Sequence, residues 1–311
     1  MNISDGDQEM MERDTDFDEV ASDVDSTFSE TAPSLISLRS SIFDYEFENG
    51  RTYHSMSRGK YAYPNDDLEV ERLKLQHHIW LITLNGELAC NPEKHKAKRV
   101  MDMGTGTGVW AIDFADAYSG TEVIGVDLSA IQSEYLPSNC SFEIDDLEKD
   151  WKWKRPFDFI FCRAMAGSFF DFPSIIRKAF DNLSPGGWFE IQDLELPMSC
   201  TDGTITTDSA LWRWHAAVVE AARAIGFVDI RRRTARWPFN TWPQHPKLKE
   251  IGRWHCANLE MGLEGFSMAL LTREGGQEHE HAWLLEHTYN LCTKALLSGI
   301  GIDVYFFFYQ S

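Results

Sequence analysis

Three observations predict an α/β fold with a mostly parallel sheet covered by helices on both faces. From Arg99 onward, short apolar runs alternate with stretches of helical period. The first run, Val100–Met103, leads into a glycine turn, Gly104-Thr105-Gly106-Thr107-Gly108. The next two runs end at acids, Asp127 and the pair Asp145-Asp146. Parallel neighbours need a crossover, and the helical stretches supply one between successive strands.

Upstream of that pattern the texture is different. Residues 1–40 are rich in Asp, Glu, Ser and Thr and poor in large apolar side chains. Such a segment buries too little surface to offset its ordering entropy, so a disordered acidic tail is expected there. Ser22, Ser26, Ser29 and Ser34 lie amid those acids, as in a partner-binding or phosphorylated tail. Residues 41–98 read as a structured lead-in segment and helix, because aromatic residues mix with turn formers from Phe47 to Asp66. Asp66 or Asp67 caps a helix to about Leu84, with Leu68, Leu75, Ile79 and Ile82 along one face.

Residues 99–311 form the expected catalytic core. Val100–Met103 is its first strand, and a helix runs from Val109 to about Tyr118. Strands at Glu122–Asp127, Ser141–Ile144 and Phe157–Cys162 follow. A helix over Pro173–Leu183 stops at Ser184-Pro185-Gly186-Gly187, where proline and glycine interrupt helical pairing. Trp188–Gln192 is the fifth strand, Asp208–Ile225 a helix ending at Gly226, and Phe227–Ile230 and Ile302–Tyr309 the last two strands.

Composition narrows the function. The net charge is −20, of which residues 1–50 carry −12. A protein that grips nucleic acid needs a basic face, which this chain lacks outside the short run Arg231-Arg232-Arg233. No window is apolar enough for a membrane span. The acidic N-terminus is neither a secretory signal nor a transit peptide, so an intracellular setting, nuclear or cytoplasmic, is expected. Cys90, Cys140, Cys162, Cys200, Cys256 and Cys292 occur singly, which suits reduced thiols better than disulfides or zinc. His77-His78 and Glu278-His279-Glu280-His281 lack a metal-ligand pattern, so no metal site is expected.

In open α/β sheets, ligands bind beyond the carboxyl ends of the strands. Glycines there let the backbone approach a ligand closely, and the following helix presents free N–H groups. Asp127, 19 residues after Gly108, is placed to accept ribose hydroxyls. A dinucleotide turn would need Gly or Ala at Val109, and a phosphate-binding Walker loop would need a following Gly-Lys-Ser/Thr. Asp102, two residues before the first glycine, would repel pyrophosphate but suits S-adenosylmethionine (SAM), which carries an ammonium and a sulfonium.

Further motifs run along residues 43–311. They include Glu48-Asn49-Gly50-Arg51-x-Tyr53-His54, Gly59-x-Tyr61 and Pro64-Asn65-Asp66-x-x-Glu69-x-x-Arg72-Leu73. Asp102-x-Gly104-x-Gly106-x-Gly108, Arg163, Gly167-Ser168, Leu183-Ser184-Pro185-Gly186-Gly187-Trp188 and Trp242-Pro243 continue the series. Together these motifs resemble the fungal LaeA-like methyltransferases. The resemblance implies a class I methyltransferase fold: Rossmann-like, seven-stranded, with helices on both faces and a reversed last strand. It implies that Asp102, Gly104, Gly106 and Gly108 surround the methionine part of SAM, that Asp127 holds the ribose, and that Asp146 and the Leu147 backbone meet the adenine. It places Arg163 at the mouth, facing the substrate. It also implies a role in secondary metabolism, on a metabolite or as a nuclear regulator with velvet-type protein partners.

Methyl transfer from a sulfonium is an in-line displacement in which alignment supplies much of the rate. His54 and Arg163 are the weak catalytic candidates, while His215 shares a stripe with Leu211 and Val218 and reads as a core histidine. Trp212, Trp214, Trp237, Trp242, Trp254 and Phe266 suit an apolar acceptor pocket or an indole-rich core equally. Two other readings stand beside an active methyltransferase: a SAM-binding interaction protein whose methyl transfer is dispensable, and, weaker, an NAD-linked oxidoreductase. The methyl acceptor is not legible.

Overall fold

The computed structural model describes residues 45–56, 61, 63–165, 168–195, 220, 222–273 and 301–311. All of them belong to one compact unit, Ser40–Ser311. The expected tail over 1–40, most of the helix expected at 208–225, and Gly59, Gly167, His215, Trp212, Trp214, Cys200, Cys292 and the 278–281 cluster lie outside the described residues.

The lead-in segment opens with a hairpin, β1 (Glu46–Glu48) and β2 (Arg51–Tyr53), paired antiparallel. Its two-residue turn is Asn49-Gly50, with φ of 52° and 78°. Asn-Gly tolerates two successive positive φ values, which the tight hairpin turn needs. Helix α1 (Asp67–Thr83) begins where Asp66 accepts the Glu69 N–H, as a capping aspartate should.

The core then alternates as expected: β3 (Arg99–Met103), α2 (Val109–Ala117), β4 (Glu122–Asp127), β5 (Cys140–Ile144), β6 (Phe157–Arg163), α3 (Phe172–Asp181) and β7 (Leu183–Glu195). It closes with β8 (Val228–Pro238), α4 (Pro246–Arg273) and β9 (Gly301–Gln310). The seven strands form one sheet in the order β5-β4-β3-β6-β7-β9-β8. Only β9 runs antiparallel to its neighbours, so the reversed last strand is present.

Side chains alternate between the two faces. Val100, Phe159 and Phe161 pack with Trp110 and Phe114 of α2 on one side. Met101, Met103, Ile160 and Cys162 pack with Ile175 and Ile176 of α3 on the other. At the far end, Ile79 and Trp80 of α1 meet Trp237, Val304, Phe306 and Ile251. No helix among the described residues is long and apolar enough to cross a membrane.

Three expectations need correction. The inward face of α1 is only partly the expected stripe: Ile79 is buried and Ile82 packs on the core, but Leu68 is 61% exposed, and the helix also buries Glu69, Arg72, His77, Trp80 and Thr83. Glu69, Arg72, Gln76 and His77 of that face line a crevice together with Leu73. Helix α3 stops at Asp181, and β7 begins at Leu183, with a pairing irregularity between Phe157 and Phe159 that absorbs the Pro-Gly-Gly segment. Finally, β8 extends to Pro238 and carries Arg231-Arg232-Arg233 mid-strand, at the edge of the sheet. An edge strand solvates its outer backbone, so charged residues prolong it without cost.

Candidate functional site

The chain runs from β3 outward to β4 and β5, then returns to β6 beside β3. That reversal leaves a crevice beyond the carboxyl ends of β3 and β6. The cavity found there is lined by the glycine turn, the ends of β4 and β6, the loop after β5, and the inward face of α1.

Local geometry explains why the turn has this sequence. Gly104 has a φ of 66°, and a Cβ placed on it would meet the side chain of Met165. The backbone angle is what favours glycine here, because the methionine side chain could move aside. Gly106 (φ 56°) differs: an added Cβ would meet only Leu73 Cδ1, at 3.5 Å. The end of β4 clamps the turn. The N–H groups of Gly104 and Thr105 donate to the Val126 carbonyl at 2.9 and 3.0 Å, and the Gly106 N–H donates to Oδ2 of Asp127 at 2.8 Å. Gly108 begins α2 against the Phe142 ring and does not line the cavity.

The carboxylates expected from the sequence converge here. Asp102, Asp127, Asp145, Asp146 and Leu147 all border the cavity. Asp102 accepts the Thr105 hydroxyl at 2.6 Å, yet burial pushes its pKa up to about 7 against the pull of that bond and of Arg163. Asp127 accepts the N–H groups of Gly106 and Ser129, and burial still raises it to about 6. Asp146 caps the turn after β5 by accepting the Glu148 N–H at 3.0 Å.

The two catalytic candidates fare differently. Arg163 borders the cavity, with its Nη2 donating to His77 Nδ1 at 2.9 Å. His54 does not border it: its Nδ1 contacts the Met56 carbonyl and its ring packs against Tyr61, 6.0 Å between centroids. Tyr61, not His54, presents a surface to the crevice. Of the indoles that suited an acceptor pocket or a core equally, the three described ones do not border this crevice. Trp237 is a fully buried core residue against Trp80, Trp254 packs on His78, and Trp242 is largely solvent-facing. The side chain of Phe266 is outside the description.

Some crevice residues were not anticipated: Tyr61, Tyr63, Glu69, Gln76, His77, Met165 and Asp193. His77 and Gln76 follow Glu69 and Arg72 at helical spacing, so a polar stripe on α1 was readable in principle. His77 and His78 diverge, as neighbours on a helix must: one bonds Asp113 and Arg163, the other meets Trp254. Among the described residues no cluster could hold a metal ion.

A family model described as a methyltransferase domain matches residues 83–259. The methyltransferase pytC of Aspergillus terreus is 37% identical over 281 residues, 85% of this chain and 87% of that protein. The secondary metabolism regulator LAE1 of Cochliobolus heterostrophus is 37% identical over 249 residues, 73% of this chain and 81% of that one. The protein-methionine methyltransferase laeA of Emericella nidulans is 30% identical over 278 residues, 83% and 72% respectively. The chain belongs to the LaeA-like family of class I SAM-dependent methyltransferases. Among solved structures, Haemonchus contortus phosphoethanolamine N-methyltransferase 2 is 16% identical with a TM-score of 0.45, covering 92% of this chain and 75% of that one.

The crevice of this LaeA-like methyltransferase fits its cofactor in charge. Among the described residues, Glu69, Asp102, Asp127, Asp145, Asp146 and Asp193 border it against two guanidiniums, Arg72 and Arg163. Arg72 is largely committed, with its fork on Glu69 and its Nη1 on Asn258. Such an excess of carboxylates favours a sulfonium over a pyrophosphate.

Proposed function

We propose that this methyltransferase acts in fungal secondary metabolism, methylating a pathway metabolite or a regulatory protein. The observation that carries the cofactor assignment is the carboxylate-rich crevice around a glycine turn whose backbone is clamped by Asp127. In this reading Asp102 and the turn hold the methionine end of SAM. Asp127, whose two oxygens are already oriented by backbone N–H groups, accepts the ribose hydroxyls. Asp146 and the Leu147 backbone bound the adenine. The secondary-metabolism setting rests on relatives whose names describe pathway methyltransferases and regulators. SAM brings an activated methyl group, and the protein's task is to align an acceptor with it and exclude water.

Gly106 supplies the test, because an added Cβ there meets little protein. Alanine at a positive φ costs about 1 kcal/mol, which leaves the fold intact. Gly106→Ala is expected to keep its melting transition but lose SAM binding by calorimetric titration, because the Cβ projects into ligand space. Tight binding of NAD without SAM by the wild-type protein would sink the assignment. Incubation with methyl-labelled SAM and host extract then shows whether label enters small molecules or protein. If a SAM-deficient variant kept full activity in cells, the interaction-protein reading would replace this one.

A further inference from the structure

Two opposite charges face the crevice without meeting. Asp102 pairs in register with Phe161, and Arg163 lies two residues further along β6, so Asp102 and Arg163 share one face of adjacent strands. Both border the cavity, yet no hydrogen bond or ion pair joins them. Among the described residues, the Asp102 carboxylate accepts one side-chain hydrogen bond, from the Thr105 hydroxyl. Arg163 spends one donor on His77 and makes no other hydrogen bond to a described residue.

That single bond fixes the guanidinium's orientation. Arginine has no acceptor, so the His77 nitrogen it meets must be the bare one. The imidazole proton is then on Nε2, which faces Oδ2 of Asp113 at 2.9 Å. Burial and the neighbouring guanidinium hold the His77 pKa below its ordinary value, consistent with a neutral ring. The rings of Trp80 and Phe161, 5.9 and 5.7 Å from Cζ, flank the guanidinium. Asp113 and His77 thus form a chain that grips the arginine at Nη2, while the side chain borders the crevice and its other donors make no hydrogen bond to a described residue.

A ligand end with a cation and an anion on one carbon would complement both groups together. We infer that Arg163, aimed by the His77–Asp113 chain, receives the α-carboxylate of SAM while Asp102 receives its α-ammonium. This inference rests on the SAM-site reading above and moves Arg163 from the acceptor to the donor. Burial supports it: Asp102 is pushed up to about 7 and Arg163 down to about 10, as expected of two charges each awaiting a partner. His77 and Asp113 are positioning residues; they touch the ligand only through Arg163.

The test compares SAM with decarboxylated SAM, which keeps the sulfonium and the amino group and lacks the carboxylate. In calorimetric titrations of the full chain, the wild type is expected to prefer SAM by about 10- to 100-fold, the range of a charge-assisted pair. Arg163→Gln should bind the two compounds alike, near the wild-type affinity for decarboxylated SAM. Arg163→Lys should keep part of the preference, and His77→Phe should narrow it although Arg163 is still present. An Arg163→Gln protein that retains the preference overturns the inference, as does a wild type that binds both compounds equally. Loss of both affinities by the same factor in Arg163→Lys and Arg163→Gln would also overturn it, as the mark of a general structural role. A wild type that binds neither compound would overturn the SAM-site reading beneath it.

Discussion

Asp102 is where local chemistry and global stability meet. In the folded protein its pKa is raised from 3.8 to about 7, chiefly by burial. Between about pH 4 and pH 7 the folded state therefore holds a proton that the unfolded chain releases. Stability from this group falls as pH rises through that window, and the full penalty is present above it. Asp102→Asn removes the titration. The ligand-free variant is expected to melt higher than wild type at pH 8, with the difference shrinking toward pH 4.5. A pH-independent difference would show that the carboxylate is not under strain. At the same scale, Asp102, Gly104, Gly106, Asp127 and Asp146 were legible because turn chemistry and strand ends leave short-range marks in sequence. His77 could be placed on the polar stripe of α1, but its role could not be read, because its partners Asp113 and Arg163 stand 36 and 86 positions away.

Among the elements, β7 holds the least expected residue. Glu190 is fully buried in the middle of a strand that reads as apolar. Its carboxylate accepts the backbone N–H groups of Cys90 and Asn91 at 2.7 and 2.8 Å, and Gln192 Nε2 at 2.7 Å. It thus ties the segment after α1 to the sheet, and burial raises its pKa. Glu190→Leu would strand two buried backbone donors. An expected loss of about 2–4 kcal/mol follows, read from urea unfolding, with Glu190→Gln much milder because it retains an acceptor. A neutral Glu190→Leu would mean that those donors find other partners. Helix α1 makes a similar point: its start at Asp66 was readable from the cap, whereas its buried face was not. Hydrophobic period assigns the apolar side inward, and α1 turns Glu69, Arg72 and His77 inward because it walls a crevice.

Across the whole molecule, α1 is held to α4 and β8 by polar ties within a core of aromatics. Arg72 bridges Glu69 and Asn258, Trp237 Nε1 donates to Thr83 Oγ1 at 2.8 Å, and Lys247 donates to the Thr83 carbonyl at 2.9 Å. Both members of the Glu69–Arg72 pair are almost completely buried. Arg72→Met would leave Glu69 uncompensated, at an expected cost of about 3–5 kcal/mol in denaturant unfolding. Replacing both residues by Met should restore much of that loss, because the desolvated charge goes with its partner. A double variant as unstable as the single one would show that the pair does more than neutralise itself.

The sequence by itself determined the α/β alternation, the strand boundaries around the glycine turn, the reversed last strand implied by family resemblance, and the donor as SAM. Apart from that last strand, these follow from period, turn residues and strand-end acids, all of which act over a few positions. Tertiary structure alone decided which face of α1 is buried, that Gly108 packs on Phe142 while Gly106 faces open space, that His54 sits behind Tyr61, and that Trp237 belongs to the core. It also brought Asp113, His77 and Arg163 into line. Each of those outcomes depends on which residues meet across the sheet, and a side chain's neighbours there are set by topology, not by its position along the chain.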